Sequence, residues 1–206
     1  VFADLGIERV RLTGGEPLLR KDILDIVRGI RAIPGIKRIH LSTNGVRLAR
    51  MAEPLREAGV SGINVSVDTL DPEVFLRLAG EDFLDRVLAG LEAAIAAGMD
   101  PVKINTVILR GVNEDDIERV ADLSARLPVV VRFIELMPMG ETGWFEESRR
   151  VPFEEMLGSA APLELVPPAE RPAGGGPARY YRRPGARGTV GFITALSCGF
   201  CHLCNR

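Results

Sequence analysis

The sequence predicts an α/β protein built on a parallel sheet, one face of which is polar, and three observations lead there. Short β-branched runs alternate five times with helix-period stretches at roughly thirty-residue spacing, the rhythm of parallel strands joined by helical crossovers. Within the runs polar and apolar residues alternate, whereas strands covered by helices on both faces read as continuous hydrophobic runs. With 206 residues, 46% of them hydrophobic, the chain is long enough to bury a full core as one domain, or as one domain with a short appendage.

Taken in order, the runs at residues 9–13, 39–42, 63–67, 102–108 and 129–134 are the predicted strands. Between them, apolar residues recur at helical spacing over residues 22–33, 48–58, 72–78 with 83–97, and 115–127. Pro34-Gly35, Gly59 and Gly98 stop the first helices, and Asn113 stands as a cap before the acidic turn Glu114-Asp115-Asp116. Phe83, Leu84, Val87, Leu88, Leu91 and Ile95 form one amphipathic stripe, read as core. The rhythm ends after Trp144. Residues 152–158 suit a short helix, the Pro- and Gly-rich stretch 167–177 a loop, and 179–183 with 189–193 two strands of a small hairpin-like appendage.

The alternation fixes which residues share a face. Arg9, Arg11 and Thr13 lie opposite Val10 and Leu12; His40 goes with Ser42; Asn64 with Ser66 and Asp68; Lys103 with Asn105. A closed eight-stranded barrel fills its interior with bulky side chains, so a polar interior points to an open or partial barrel around a polar ligand. The plainer alternative is that some of these strands are edges or solvated. Arg9, Arg11 and Lys103 on such a face repel one another and call for an anion, for which phosphate is suited; Arg132 lies on a further strand. Salt bridges to Asp68, Glu135 or a helix terminus are the competing explanation.

The charge balance, 26 Lys+Arg against 28 Asp+Glu with two His, gives a net charge of -2 and argues against a general nucleic-acid or anionic-membrane binder. No window of eighteen consecutive apolar residues occurs, so no membrane-spanning helix is expected. The chain opens on Val1 and stops at Asn205-Arg206, and both ends read as cut from a longer protein.

Two motifs carry chemistry. Thr13-Gly14-Gly15-Glu16-Pro17 sits between a strand and a helix, where paired glycines let a ligand approach the backbone; a tight turn without a ligand explains it equally well. The three cysteines, Cys198, Cys201 and Cys204, form a C-x2-C-x2-C run and occur nowhere else. That spacing suits a metal or iron–sulfur cluster, with a zinc knuckle or free thiols as alternatives and His202 as a bystander.

RVRLTGGEPLLR at 9–20, NVSVD at 64–68 and FCHLCNR at 200–206 together resemble the GTP 3',8-cyclase family of the radical SAM superfamily, and LSTNG, KINTVILRGVN, RFIELMPMG and GFI agree in order. The resemblance implies a partial (β/α)6 radical SAM barrel with a small C-terminal appendage carrying an iron–sulfur site, divided as residues 1–145 and 146–206. It implies two [4Fe-4S] clusters at opposite ends of the barrel. One binds S-adenosyl-L-methionine and cleaves it to a 5'-deoxyadenosyl radical, which takes the 3' hydrogen of GTP. The sugar carbon then attacks C8 to give 3',8-cyclo-GTP, a precursor of the molybdenum cofactor. By motif, Gly15, Ser66 and Met137 contact S-adenosylmethionine, and Arg11, Ser42, Lys103, Arg132 and Arg206 contact GTP. Ser42 stands where the family is expected to carry Thr. Cys201 and Cys204 ligate the auxiliary cluster, whose third cysteine the family takes from downstream, so that Cys198 is expected not to be a native ligand.

The chain contains no C-x3-C-x2-C motif for the S-adenosylmethionine cluster. The activity is therefore expected of the intact protein, with the fragment alone inactive. A radical SAM peptide-maturation enzyme and a non-catalytic iron–sulfur or zinc module are the competing readings. Neither nucleic acid nor membrane is expected as a partner, a homodimer is compatible with the sequence, and the electron donor is not identified by it. Oxygen-labile clusters and free thiols favour a cytoplasmic setting.

Overall fold

The β-branched runs become strands and the periodic stretches become helices where the sequence places them. The computed structural model describes residues 1–137, 147–172 and 176–199. Its elements run β1 (Arg9–Leu12), α1 (Ile23–Arg31), β2 (Arg38–Thr43), α2 (Leu48–Ala58), β3 (Val60–Ser66), α3 (Pro72–Ala79), α4 (Leu84–Ala96), β4 (Val102–Ile108), α5 (Ile117–Arg126), β5 (Val129–Glu135), α6 (Phe153–Ser159), β6 (Glu164–Leu165), β7 (Arg179–Arg182) and β8 (Thr189–Ile193). The chain divides into two compact units, Val1–Val67 with Phe83–Lys103, and Asp68–Asp82 with Ile104–Arg206.

In the first unit β1, β2 and β3 are parallel neighbours, with Arg11 level with His40 and Ser42 level with Asn64. A shift between Ile39 and His40 sets His40 level with Gly62. Ile39, Leu41, Ile63 and Val65 are buried on the opposite face. Helix α4 comes close to the start of α2 because Gly90 has no side chain: a Cβ there would lie 2.9 Å from both the Gly45 carbonyl oxygen and Leu48 Cβ. Gly59, at φ +123°, ends α2 and lets β3 begin at once, three residues earlier than the sequence run suggests.

In the second unit β4 neighbours β5, and β5 continues to β8, β7 and β6. The expected appendage is no separate hairpin. β8 pairs in parallel with β5 from Val130–Thr189 to Ile134–Ile193, and antiparallel with β7. Four of its five residues are buried, as suits a strand inside a sheet. A Cβ on Gly188 would lie 2.1 Å from the Val129 carbonyl oxygen, so only glycine admits this approach. Phe192 anchors the pairing, its ring centroid 5.7 Å from Phe133, 5.5 Å from Phe153 and 5.6 Å from Tyr181. The two-residue β6 has no counterpart in the sequence reading, being too short for a periodic signal.

Caps show where local rules hold and where they yield. Asp71 begins α3 by accepting from the Glu73 and Val74 amides, Pro72 takes the first helical position, and Gly80 closes the helix at φ +80°. Asn113 does not cap α5. It is buried, and its side chain instead accepts from the Leu109 amide at 2.8 Å and donates to the Asp68 and Val107 carbonyls at 2.6 and 2.9 Å. A short 3-10 turn, Glu114–Asp116, precedes the helix in its place.

Gly45, at φ +81°, follows β2, and a Cβ there would lie 2.8 Å from Val65 Cγ1 and 2.9 Å from Val87 Cγ1. Combining left-handed strain with overpacking, Gly45→Ala is expected to cost about 2–4 kcal/mol of stability in urea unfolding. An unchanged unfolding midpoint would contradict this packing.

Candidate functional site

Open parallel sheets take ligands at the carboxyl ends of their strands, so the loops following β1 and β2 come first. Gly14, at φ +137°, and Gly15 are exposed, and a Cβ on either would meet nothing within 4 Å. The backbone of this loop is thus bare on its outer side, as close approach of a ligand requires. Glu16 holds it in place. Its Oε1 accepts from the Leu18 amide at 2.9 Å and the Thr43 hydroxyl at 2.7 Å, and its Oε2 accepts from the Asn44 amide at 2.7 Å. Thr43 Oγ1 also receives the Gly45 amide at 3.1 Å. One carboxylate therefore ties the loop after β1 to the loop after β2. Sequence reasoning missed this role of Glu16 and Thr43, although both lie in motifs it quoted.

The polar strand face of the first unit carries Arg11, half-buried, with His40 level with it, and Ser42, half-buried, level with Asn64. Lys103 at the start of β4 is 1% exposed and His40 4%. Burial pushes the His40 imidazole down to about 4, and the positive charges of Arg11, Lys103, Arg38 and Arg9 push in the same direction. The buried imidazole thus lies in a cationic field, to which half-buried Arg11 and buried Lys103 contribute more than exposed Arg38 and Arg9. The sequence placed His40 on this face without giving it a role. Gly15 and Ser66 belong to the same unit, Ser66 being exposed at the end of β3.

The second unit holds Arg132 and Met137. The Arg132 guanidinium, buried in β5, donates to Asn105 Oδ1 of β4. Met137 is half-exposed just beyond β5. Of the carboxylates weighed as partners for the strand cations, Asp68 accepts from the Val107 amide at 2.8 Å, and burial raises its carboxyl above the ordinary range despite that bond. Glu135 accepts from Arg150 at 2.9 Å, from the Leu196 amide at 2.9 Å, and from the Ser197 amide and hydroxyl. Burial alone would raise it, but these donors hold it below the usual carboxylate range. Glu135 thereby fixes the turn into Cys198, whose amide donates to the Thr194 carbonyl at 3.1 Å. Cys201, Cys204 and Arg206 lie outside the described residues. Among the described residues no three His, Cys, Asp or Glu side chains stand together as a metal site, and no helix is long and apolar enough to cross a membrane.

Fold and site together define a parallel α/β protein with a cationic strand face and a bare glycine loop at its strand ends. The chain belongs to the radical SAM superfamily, which residues 1–124 match, and residues 129–206 match Molybdenum Cofactor Synthesis C. It is homologous to GTP 3',8-cyclases. To that of Pelotomaculum thermopropionicum it is 48% identical over 202 residues, covering 98% of this chain and 62% of that protein. To that of Gloeobacter violaceus it is 45% identical over 215 residues, covering 100% of this chain and 63% of that protein. The chain thus spans less than two thirds of the length of these relatives. A radical SAM methyltransferase from Sphaerobacter thermophilus shares the fold, with a TM-score of 0.60 at 18% identity over 90% of this chain and 51% of that one.

Two predictions follow from the site's construction. Glu16→Ala leaves the buried Thr43 hydroxyl and two amides without their acceptor, and is expected to cost about 2–3 kcal/mol in urea unfolding. A loss under about 0.5 kcal/mol would show that the two loops hold without it. The second concerns pH. An unfolded imidazole takes up its proton near 6.5 but folded His40 only near 4, so between these values the unfolded state binds more protons. Stability is expected to fall as pH is lowered from 6.5 towards 4, and His40→Gln to flatten that part of the profile. Parallel profiles for the two proteins would refute the assignment.

Proposed function

We propose that the intact protein converts GTP to 3',8-cyclo-GTP, the first step of molybdenum cofactor biosynthesis, and that this chain supplies most of its substrate and cofactor contacts. The observation that carries the reading is the cationic strand face of half-buried Arg11 and buried Lys103 in a chain 48% identical to a GTP 3',8-cyclase. In this reading residues 1–145 form a partial (β/α)6 barrel and residues 146–206 an auxiliary-cluster region, in a cytoplasmic protein.

Arg11 and Lys103 hold the triphosphate, with Arg132 and Arg206 assigned to the same substrate and the Ser42 hydroxyl donating or accepting beside them. Gly15, Ser66 and Met137 contact S-adenosylmethionine. The bare backbone at Gly14 and Gly15 and the exposed Ser66 at a strand end suit a ligand of that size and polarity. Cys201 and Cys204 ligate an auxiliary [4Fe-4S] cluster, while Cys198, a free thiol in the turn held by Glu135, does not. When bound, S-adenosylmethionine and its cluster supply the one-electron chemistry that removes a hydrogen from the ribose. The chain's own part is to hold the triphosphate away from water and keep the sugar in one place. Burial strengthens the phosphate contacts, because an ion pair is weakened less where solvent is excluded.

Anaerobic calorimetry on full-length protein reconstituted with iron and sulfide tests the substrate assignment. GTP is expected to bind wild type and to bind Arg11→Ala and Lys103→Ala at least about 10-fold more weakly, each variant losing a charge-assisted contact. No binding by cluster-replete wild type would reject the cyclase reading. In the same protein Cys198→Ser is expected to keep its full iron content and cluster spectrum. Loss of one cluster would make Cys198 a ligand.

A further inference from the structure

The strand face holds a buried titratable group that the substrate assignment leaves unused. His40 is 4% exposed, level with Arg11 across the β1–β2 pair, and its Nε2 has no hydrogen-bond partner among the described residues. A buried polar atom in that condition is costly and is seldom retained without a use. Its neighbours define the use. Among the described residues, Arg11 and Arg9 of β1, Lys103 of β4 and Arg38 of β2 all act on it as cations. On the β3 side His40 is level with Gly62, which carries no side chain.

The field at His40 therefore changes sign with what the cations hold. Without a polyphosphate, they oppose a proton on the imidazole. With a polyphosphate across Arg11 and Lys103, several negative charges enter the same face, outweigh the cations, and favour the protonated ring. An imidazolium carries two donors, where the neutral ring has one donor and one acceptor. We propose that His40 is a further residue of the anion site, coupled to its occupant, so that a polyphosphate held by Arg11 and Lys103 binds together with a proton taken up at His40. The inference rests on the substrate reading above and adds to it a residue, a charge and a proton count. The added donor supplements the fixed charges only when the ligand is in place, so His40 acts as an occupancy-dependent cation.

The sign of the effect separates it from the ligand's own titration. The terminal phosphate of GTP or inorganic triphosphate loses a proton on binding to cations, whereas His40 gains one. If binding restores the imidazole to its ordinary value of 6.5, about three-quarters of a proton is taken up at pH 6. The His40 contribution to affinity then rises about 20-fold between pH 7 and pH 5.

The test is calorimetry of GTP and of inorganic triphosphate on the full-length reconstituted protein, at pH 6, in buffers of different ionisation enthalpy. The slope of apparent enthalpy against ionisation enthalpy reads the protons exchanged. Wild type is expected to take up about three-quarters of a proton more than His40→Gln with both ligands, while the variant still binds. His40→Asn, with circular dichroism on both variants, guards against a folding defect. Should neither variant fold, the wild-type imidazole titration followed by NMR decides, since triphosphate is expected to raise it. Equal proton counts in wild type and a folded variant, or a wild-type imidazole titration that triphosphate leaves unmoved, would overturn the role of His40 and leave the anion site standing. Failure of wild type to bind either polyphosphate would overturn the substrate reading and this inference with it.

Discussion

The constraint on which the first unit turns is the burial of like charge on one face of a parallel sheet. Lys103 and His40 are almost wholly removed from solvent and Arg11 partly so, while Ile39 and Leu41 of β2 and Ile63 and Val65 of the neighbouring β3 are buried on the other side. Desolvating several cations together is unfavourable by both solvation and mutual repulsion. Such a face persists because the apolar face behind it is well packed and the period-two geometry of the strand keeps the two sets apart. The imidazole registers this most directly, driven well below its ordinary range by burial first and then by the positive charges of Arg11, Lys103, Arg38 and Arg9. In the proposed substrate assignment an anion relieves that repulsion, and this would link the packing of the sheet to the choice of ligand.

A second pattern concerns the loops that frame the strand ends. They are tied down from within by carboxylates and an amide that accept from or donate to backbone groups. Glu16 joins the loops after β1 and β2, Glu135 gathers the amides of the turn into Cys198, and Asn113 closes on the chain at Asp68, Val107 and Leu109. Asp116 does the same for Thr69 and the Leu70 amide, with Arg119 balancing its charge. In each case one side chain satisfies several donors or acceptors that the end of a regular element leaves open. Loops held this way stay ordered while their outer surfaces, such as the bare backbone at Gly14 and Gly15, remain available. The residues that hold the site together are therefore different from those assigned to touch a ligand.

The relation between sequence and site follows from these two patterns. Strands, helices and their faces were legible because side-chain periodicity is a local property, and five runs with their intervening stretches fall where the spacing puts them. Arg11, Ser42 and Lys103 could be placed on polar faces for the same reason. The ties were not legible. Asn113 reads locally as a helix cap, but its amide is drawn instead to carbonyls some forty-five and six residues away in the chain. The strand at 189–193 reads as part of a hairpin, while its parallel pairing with β5 depends on Gly188 meeting Val129, which no local pattern encodes.

By itself, then, the sequence determined the alternation of elements, the polar and apolar faces of each strand, and the motifs that join this chain to its superfamily. Each of these depends on residues near one another in the chain. Only the tertiary structure decided that β8 extends the sheet beside β5, that Glu16 and Glu135 are anchors, and that His40 lies buried in a cationic field with no partner for its Nε2 among the described residues. The reason is physical. Register, desolvation and the summed field of charges from separate strands exist only once those strands are side by side.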